Sequence, residues 1–306
     1  MTGAPLLEPH RSLETKLSGL TIQRALPVRG RRTVGPWCFL DRFGPVAFAD
    51  GKPMDVGAHP HIGLQTVSWI MEGEIVHFDT LGNEAVLRPG GVNVMTAGAG
   101  IAHAEETPRQ NSGRLSGVQL WIALKDAHRN RVASFQHVAE TPVLVLPGGL
   151  ARVFCGQLEG AASTAEVFSD LAGVELLVHP GESLSIPLDR IFEHALFLLE
   201  GDAAFENEPL EHRTLYYLAP GRTEGTLRSN AGARLLLLGG PPFDEPLLMW
   251  WNFVARTGDE IRSARADWEE RVRFGEIPGF KGERLKAPEV LRLVDPVAAS
   301  AKLRNA

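Results

Sequence analysis

The chain is poor in the features that mark several large classes of protein. It has two cysteines in 306 residues, too few for a disulfide framework. Both, Cys38 and Cys155, lie in apolar strand-like runs and are expected to be buried free thiols. No apolar run approaches the ~20 residues needed to cross a bilayer. The opening Met1-Thr2-Gly3-Ala4-Pro5 has neither the charged nor the apolar region of a signal peptide, so a reducing, cytoplasmic location is expected. Long Lys/Arg blocks are absent and the net charge is −6. Direct nucleic-acid binding and a basic membrane-surface helix therefore have no electrostatic footprint. Charged residues make up 22% and hydrophobic ones 44%, which argues against broad disorder and for substantial buried cores.

What the chain has in quantity is turn-forming residues, 32 Gly and 21 Pro. They punctuate short apolar runs such as Gln65 to Ile70, Glu74 to Phe78, Val118 to Leu124, Val143 to Leu146, Glu175 to His179 and Arg234 to Leu238. Short strands between Leu-Gly-Asn, Pro-Gly-Gly and Pro-Gly turns favour an all-β sandwich or barrel. One helix is expected, from Asp259 to Phe274, where Ile261, Ala264 and Trp268 recur among charges.

The chain also repeats itself. Val67-Ser68-Trp69-Ile70-Met71-Glu72-Gly73-Glu74 resembles Ala195-Leu196-Phe197-Leu198-Leu199-Glu200-Gly201-Asp202, and Met95-Thr96-Ala97-Gly98 has a looser echo in Tyr217-Leu218-Ala219-Pro220. Two tandem β-domains follow, residues 1–140 and residues 141–306, the second carrying the C-terminal helix and tail.

Two short motifs carry the chemistry. His59-Pro60-His61 and His103-Ala104-Glu105 each place two ligand-type groups at i, i+2. In a strand that spacing puts both on one face. His59, His61, His103 and Glu105 are thus candidate ligands for one divalent transition metal, with open positions left on a six-coordinate ion. Mixed nitrogen and oxygen ligation suits Fe(II), Mn, Ni, Co, Cu or Zn. Projected across the repeat, His59 falls on Pro187, His61 on Asp189, His103 on Gly225 and Glu105 on Leu227. Pro, Gly and Leu side chains bind no metal, so the second domain is expected to lack the site.

Other candidates carry less. His10, His128, His137, His179, His194 and His212 stand singly and are read as structural. Gln65 lies four residues after His61, but its neutral amide is a poor metal ligand beside a carboxylate. Glu106 points to the opposite face of a regular strand from Glu105. His77 and Asp79 form another i, i+2 pair, read either as groups orienting the site or as loop anchors. Trp69 and Met95 are read as barrel core in preference to pocket wall.

The same residues resemble the pirin family of the cupin superfamily. The resemblance runs through Val34-Gly35-Pro36-Trp37, Phe39-Leu40-Asp41-Arg42-Phe43-Gly44-Pro45, His59-Pro60-His61-Ile62-Gly63, Met95 to Glu105, Leu238-Gly239-Gly240-Pro241 and Trp250-Trp251-Asn252-Phe253-Val254. It implies a bicupin of two jelly-roll β-barrels and a mononuclear iron-type site at His59, His61, His103 and Glu105 in the first. It further implies dioxygenase activity on a flavonol such as quercetin with O2, or else a non-enzymatic, metal- or redox-responsive role through a protein partner. Glu105 is read first as a ligand and, should it loosen from the metal, as a proton acceptor. Ala99, Thr80 and Trp69 depart from residues usual in the family; Ala99, where a basic residue is common, is expected to bear on pocket charge.

Overall fold

The computed structural model describes residues 7–17, 19–48, 55–290, 293, 295 and 296. The segment Met1 to Pro5, read above for a signal peptide, lies outside the described residues, as does most of the tail beyond residue 290. The described chain is mostly strand with one longer helix.

Strands are numbered along the chain. One seven-stranded sheet has the order β12 (Ser134–Val138), β9 (Val92–Thr96), β6 (Leu64–Glu72), β11 (Arg114–Ala123), β4 (Trp37–Ala47), β3 (Leu20–Leu26) and β2 (Leu13–Leu17). A second large sheet has the order β1 (Glu8–Arg11), β21 (Thr214–Leu218), β18 (Glu193–Gly201), β23 (Ala233–Gly240), β16 (Ala172–Val178), β14 (Gly149–Leu158) and β13 (Val143–Leu146), with β15 (Ala161–Ala162) beside β14. Each faces a four-stranded sheet. The first is β5 (Val56–His61), β10 (Ile101–Glu106), β7 (Ile75–Asp79) and β8 (Glu84–Leu87); the second is β17 (Ser183–Pro187), β22 (Glu224–Arg228), β19 (Ala203–Phe205) and β20 (Glu208–Leu210). The two halves thus share one strand order, as the internal repeat implied. The fold is all-β, two β-sandwich barrels in tandem.

The large sheets pack on each other as well as on their small partners, so their central strands are buried on both faces. This is why Ala195 to Leu199 and Leu235 to Leu238 are continuous apolar runs rather than alternating ones. Phe197, Leu199, Leu236 and Leu238 join Leu40, Val67, Trp69, Val118 and Leu120 between the halves, while Leu196, Leu198, Leu235 and Leu237 fill the second barrel. Trp69 stacks on Phe154 across the interface, ring centroids 5.1 Å apart. Arg42 Nη2 donates to the Leu199 carbonyl (2.7 Å), and Trp37 Nε1 donates to that of Gly239 (3.1 Å). These bonds satisfy donors that the packing buries.

The ends of the chain cross over. β1 pairs with β21 in the second large sheet. The segment after β23 returns to the first barrel. It contains the hairpin β24 (Leu248–Trp250) and β25 (Phe253–Ala255), then α1 (Gly258–Glu269). Phe253, Ile261, Ala264, Trp268 and Phe274 pack on Ala58, Ala102 and Ala104, the outer face of the small sheet. Gly63 permits this approach: its φ is +69°, and a Cβ there would lie 2.1 Å from the Val254 carbonyl oxygen. Thr257 caps the start of α1, its side chain accepting from Glu260 N. It stops at Glu269, short of the sequence expectation, because Arg271 takes a left-handed conformation (φ 58°). Phe274 is still buried, against Trp268 and Phe253, but from irregular backbone.

Candidate metal centre

The strand spacing read from the sequence translates directly into a face. His59 lies opposite His103 in the β5–β10 ladder, and on the other side of β10, Asp79 lies opposite His103 and His77 opposite Glu105. Six ligand-type groups therefore line the inner face of three adjacent strands, while Ala102 and Ala104 face outward under the C-terminal segment. All six are buried.

Three imidazoles converge. His59, His61 and His103 each offer a ring nitrogen, all within 4.8 Å of one another. Glu105 belongs to a second such group, with His77 and His103. A register shift between His103 and Glu105 against β5 puts Glu105 opposite Val56. Its Oε1 lies 3.1 Å from the Ser68 hydroxyl, which is also 2.9 Å from the side-chain oxygen of Gln119. Burial pushes the Glu105 carboxyl above its usual range, with His77 and Ser68 opposing.

The hydrogen bonds test whether these residues suit a metal. His59 Nδ1 donates to the Gly57 carbonyl (2.8 Å) and His61 Nδ1 to the Asn252 carbonyl (2.9 Å). A carbonyl only accepts, so in both rings Nε2 is left with its lone pair. Burial holds His59 down to about 4, and His61 and His103 well below 6.5, so the rings are neutral at pH 7. His61 Nε2 nonetheless faces His103 Nε2 at 3.1 Å. Two nitrogens bound at right angles to one ion with ~2.1 Å bonds stand roughly 3 Å apart. A buried, neutral, lone-pair-bearing cluster of this kind suits a single divalent metal in the first half of the chain.

A cavity of about 370 Å³ opens onto the cluster, within the size range of small-molecule sites. Phe39, Asp41 and Phe43 project into it from β4, Thr66 from β6, and Gln119 and Trp121 from β11. Phe39 and Trp121 stack at 4.0 Å, and the Arg24 guanidinium lies 4.6 Å from the Phe39 ring centre. Arg24 grips Asp41 with two bonds, Nε to Oδ1 (2.9 Å) and Nη2 to Oδ2 (2.7 Å). Trp251, Asn252 and Leu285 close the wall from the far end of the chain.

Several sequence readings are sharpened or overturned. Gln65 faces away from the cavity, with Nε2 donating to Thr96 Oγ1 (3.0 Å) and to the Glu166 carbonyl (3.1 Å). Trp69 is core between the halves, and Met95 belongs to a separate apolar cluster. Ala99 is exposed and lies outside the cavity lining, so it does not set the charge there. For His77 and Asp79 the hydrogen bonds show the loop-anchoring alternative. Asp79 Oδ1 accepts from Leu81 N (2.9 Å) and Asn83 N (3.1 Å), anchoring the turn, while Oδ2 accepts from His77 Nε2 (3.1 Å). Burial acts to raise the Asp79 carboxyl, but these bonds outweigh it and hold the group below its usual range. Sequence reasoning missed Phe39, Asp41 and Phe43, although their i, i+2, i+4 spacing carried the same signal as the histidines. Arg24, Trp251, Asn252 and Leu285 had no local signal.

Fold and site together define a class: a bicupin whose first barrel holds a metal-competent histidine cluster. The family profiles for Pirin and for the Pirin C-terminal cupin domain match residues 19–122 and 173–275. A Pseudomonas aeruginosa protein named "Putative quercetin 2,3-dioxygenase" is 42% identical, over 90% of this chain and 88% of its own. A pirin-like protein of Caulobacter vibrioides is 37% identical, over 89% of this chain and 96% of its own. The crystal structure of a quercetin 2,3-dioxygenase from Acinetobacter baumannii superposes with a TM-score of 0.91 at 40% identity, covering 95% of this chain and 98% of that one. The chain belongs to the pirin family. Among the described residues, no helix is long and apolar enough to cross a membrane.

Proposed function

We propose that the protein is a dioxygenase that cleaves a flavonol such as quercetin with O2, using one divalent metal, Fe(II) first among the candidates, held by His59, His61, His103 and Glu105. The observation that carries this reading is the convergence of three imidazole nitrogens at the end of an aromatic-walled cavity. The relatives' names supply the substrate class. When bound, the ion supplies Lewis acidity and a redox-active centre.

The chain's own residues do the rest. The carbonyls of Gly57 and Asn252 hold the His59 and His61 rings in the ligating tautomer. The Phe39–Trp121 stack and Trp251 offer a planar polyphenol aromatic surface along the cavity wall. The Arg24–Asp41 pair offers spare donors and acceptors to ring hydroxyls at the cavity wall. Glu105, made more basic by burial, would accept the proton of the reacting hydroxyl when it is not engaged as a ligand. The two buried free thiols, Cys38 and Cys155, are suited to a reducing compartment, and we assign the protein to the cytoplasm on that ground.

The test is incubation with quercetin and Fe(II), with and without air. Loss of the flavonol absorbance that requires both metal and O2 is expected; no such loss, or equal loss under anaerobic conditions, overturns the assignment.

A further inference from the structure

We infer that Asp79 is a positioning residue that sets the tautomer of His103 through His77, and so decides which nitrogen His103 presents to the metal. This rests on the metal reading above and adds to it a group two side chains away from the ion.

The chain of contacts is continuous. Asp79 Oδ2 lies 3.1 Å from His77 Nε2, His77 Nδ1 lies 3.4 Å from His103 Nδ1, and His103 Nε2 lies 3.1 Å from His61 Nε2. The middle contact is long for a hydrogen bond but correctly directed. A neutral imidazole has one donor and one acceptor nitrogen, so the direction chosen at one end propagates to the other. The ionised Asp79 only accepts, so a His77 that carries one proton holds it on Nε2 and keeps its lone pair on Nδ1. That lone pair takes the proton of His103 Nδ1, and His103 Nε2 is left free towards His59 and His61. The opposite direction would aim a lone pair of His77 at a carboxylate and a proton of His103 into the metal position.

The relay is held rigidly at its far end. His77 stacks on Phe135 with centroids 4.1 Å apart and planes 6° from parallel. Asp79 Oδ1 is pinned by the backbone of Leu81 and Asn83. His59 and His61 need no such device, since each is fixed by a carbonyl that can only accept. His103, on the central strand of the three, meets another imidazole instead, and an imidazole gives no direction unless its own is imposed.

Asp79→Asn keeps the backbone bonds of the turn. The amide oxygen still accepts from Leu81 N, Asn83 N and Asn83 Nδ2, while its NH2 faces His77 Nε2 as a donor and reverses the relay, at the loss of the second Asn83 Nδ2 bond, to Oδ2. His77→Phe keeps the stack on Phe135 and cuts the relay, leaving His103 free to choose. The probe is Co(II), titrated into the metal-free full chain against a competing chelator. Asp79→Asn is expected to weaken Co(II) binding by roughly 10–100-fold, His77→Phe by less, and the double variant by no more than His77→Phe alone. Wild-type binding by Asp79→Asn overturns the relay; so does an Asp79→Asn loss that persists in full beside His77→Phe, since it would then act through the turn. Nitrogen-15 NMR of the metal-free wild type needs no variant. It should show His103 protonated at Nδ1, and protonation at Nε2 overturns the inference. Equal Co(II) binding by wild type and His103→Ala would instead sink the metal reading itself.

Discussion

The two small sheets have the same strand order and opposite interiors. In the first, His59 pairs with His103 and His77 with Glu105 across the ladder. At the matching places in the second, Ile186 pairs with Gly225 and Phe205 with Leu227. Phe205 is fully buried, and a Cβ on Gly225 would lie 2.3 Å from its ring. The position that holds an imidazole in one barrel is emptied in the other to admit a benzene ring. By register the counterpart of His59 is Ile186, one residue from the projected Pro187, and the conclusion is the same. One half gives up apolar core for chemistry, and the other keeps the scaffold packed. Buried polar groups are costly unless partnered, so the histidine barrel must satisfy each ring, whereas the Phe205 barrel needs only volume.

The largest effect should come from breaking the first half alone. His103→Ala is expected to drop metal content from about one ion per chain to near zero, read by elemental analysis of protein purified without chelators, with flavonol cleavage lost in parallel. Phe205→Ala strikes the matching spot and should do the reverse. Stability falls by about 3–5 kcal/mol in urea unfolding while metal content holds. Gly225→Ala tests the same packing from the other side, and overpacking against Phe205 should cost roughly 1–3 kcal/mol in the same measurement.

The smallest effect is acid sensitivity, shared by both halves. Burial holds His59 in the first and His194 in the second at about 4, below the ordinary 6.5. The native state then binds fewer protons than the unfolded chain between those values. The stability involved is present above pH 6.5 and is lost as pH falls towards 4. His194→Gln should bring the urea midpoints of metal-free protein at pH 7 and pH 5 closer together. Added metal should oppose acid only through the first half, because protons and metal compete for the same nitrogens.

Much of this was legible in the chain before any coordinates. Strand periodicity put His59, His61, His103 and Glu105 on one face, and the 67–74 and 195–202 echo revealed the duplication that the shared strand order of the two halves bears out. The helix was placed but overextended, because Phe274 keeps its burial after the backbone has left the helix. Gln65 could not be placed from its distance to His61, since Gly63 turns the chain onto another sheet between them. The split of ligand groups into two overlapping triads depended on a register shift at β10, which leaves no mark in residue types.

Residue order alone determined which groups share a face, because alternation along a strand is local geometry that holds wherever the strand lies. Tertiary structure decided what those faces meet. Asn252, from the far end of the chain, supplies the carbonyl that orients His61, and Phe205 closes the space that His77 and His103 leave polar in the other barrel. Such contacts join residues nearly 200 positions apart, as His61 and Asn252 are, at a separation of 191. They exist only once long-range packing has overcome the entropy of bringing the chain together.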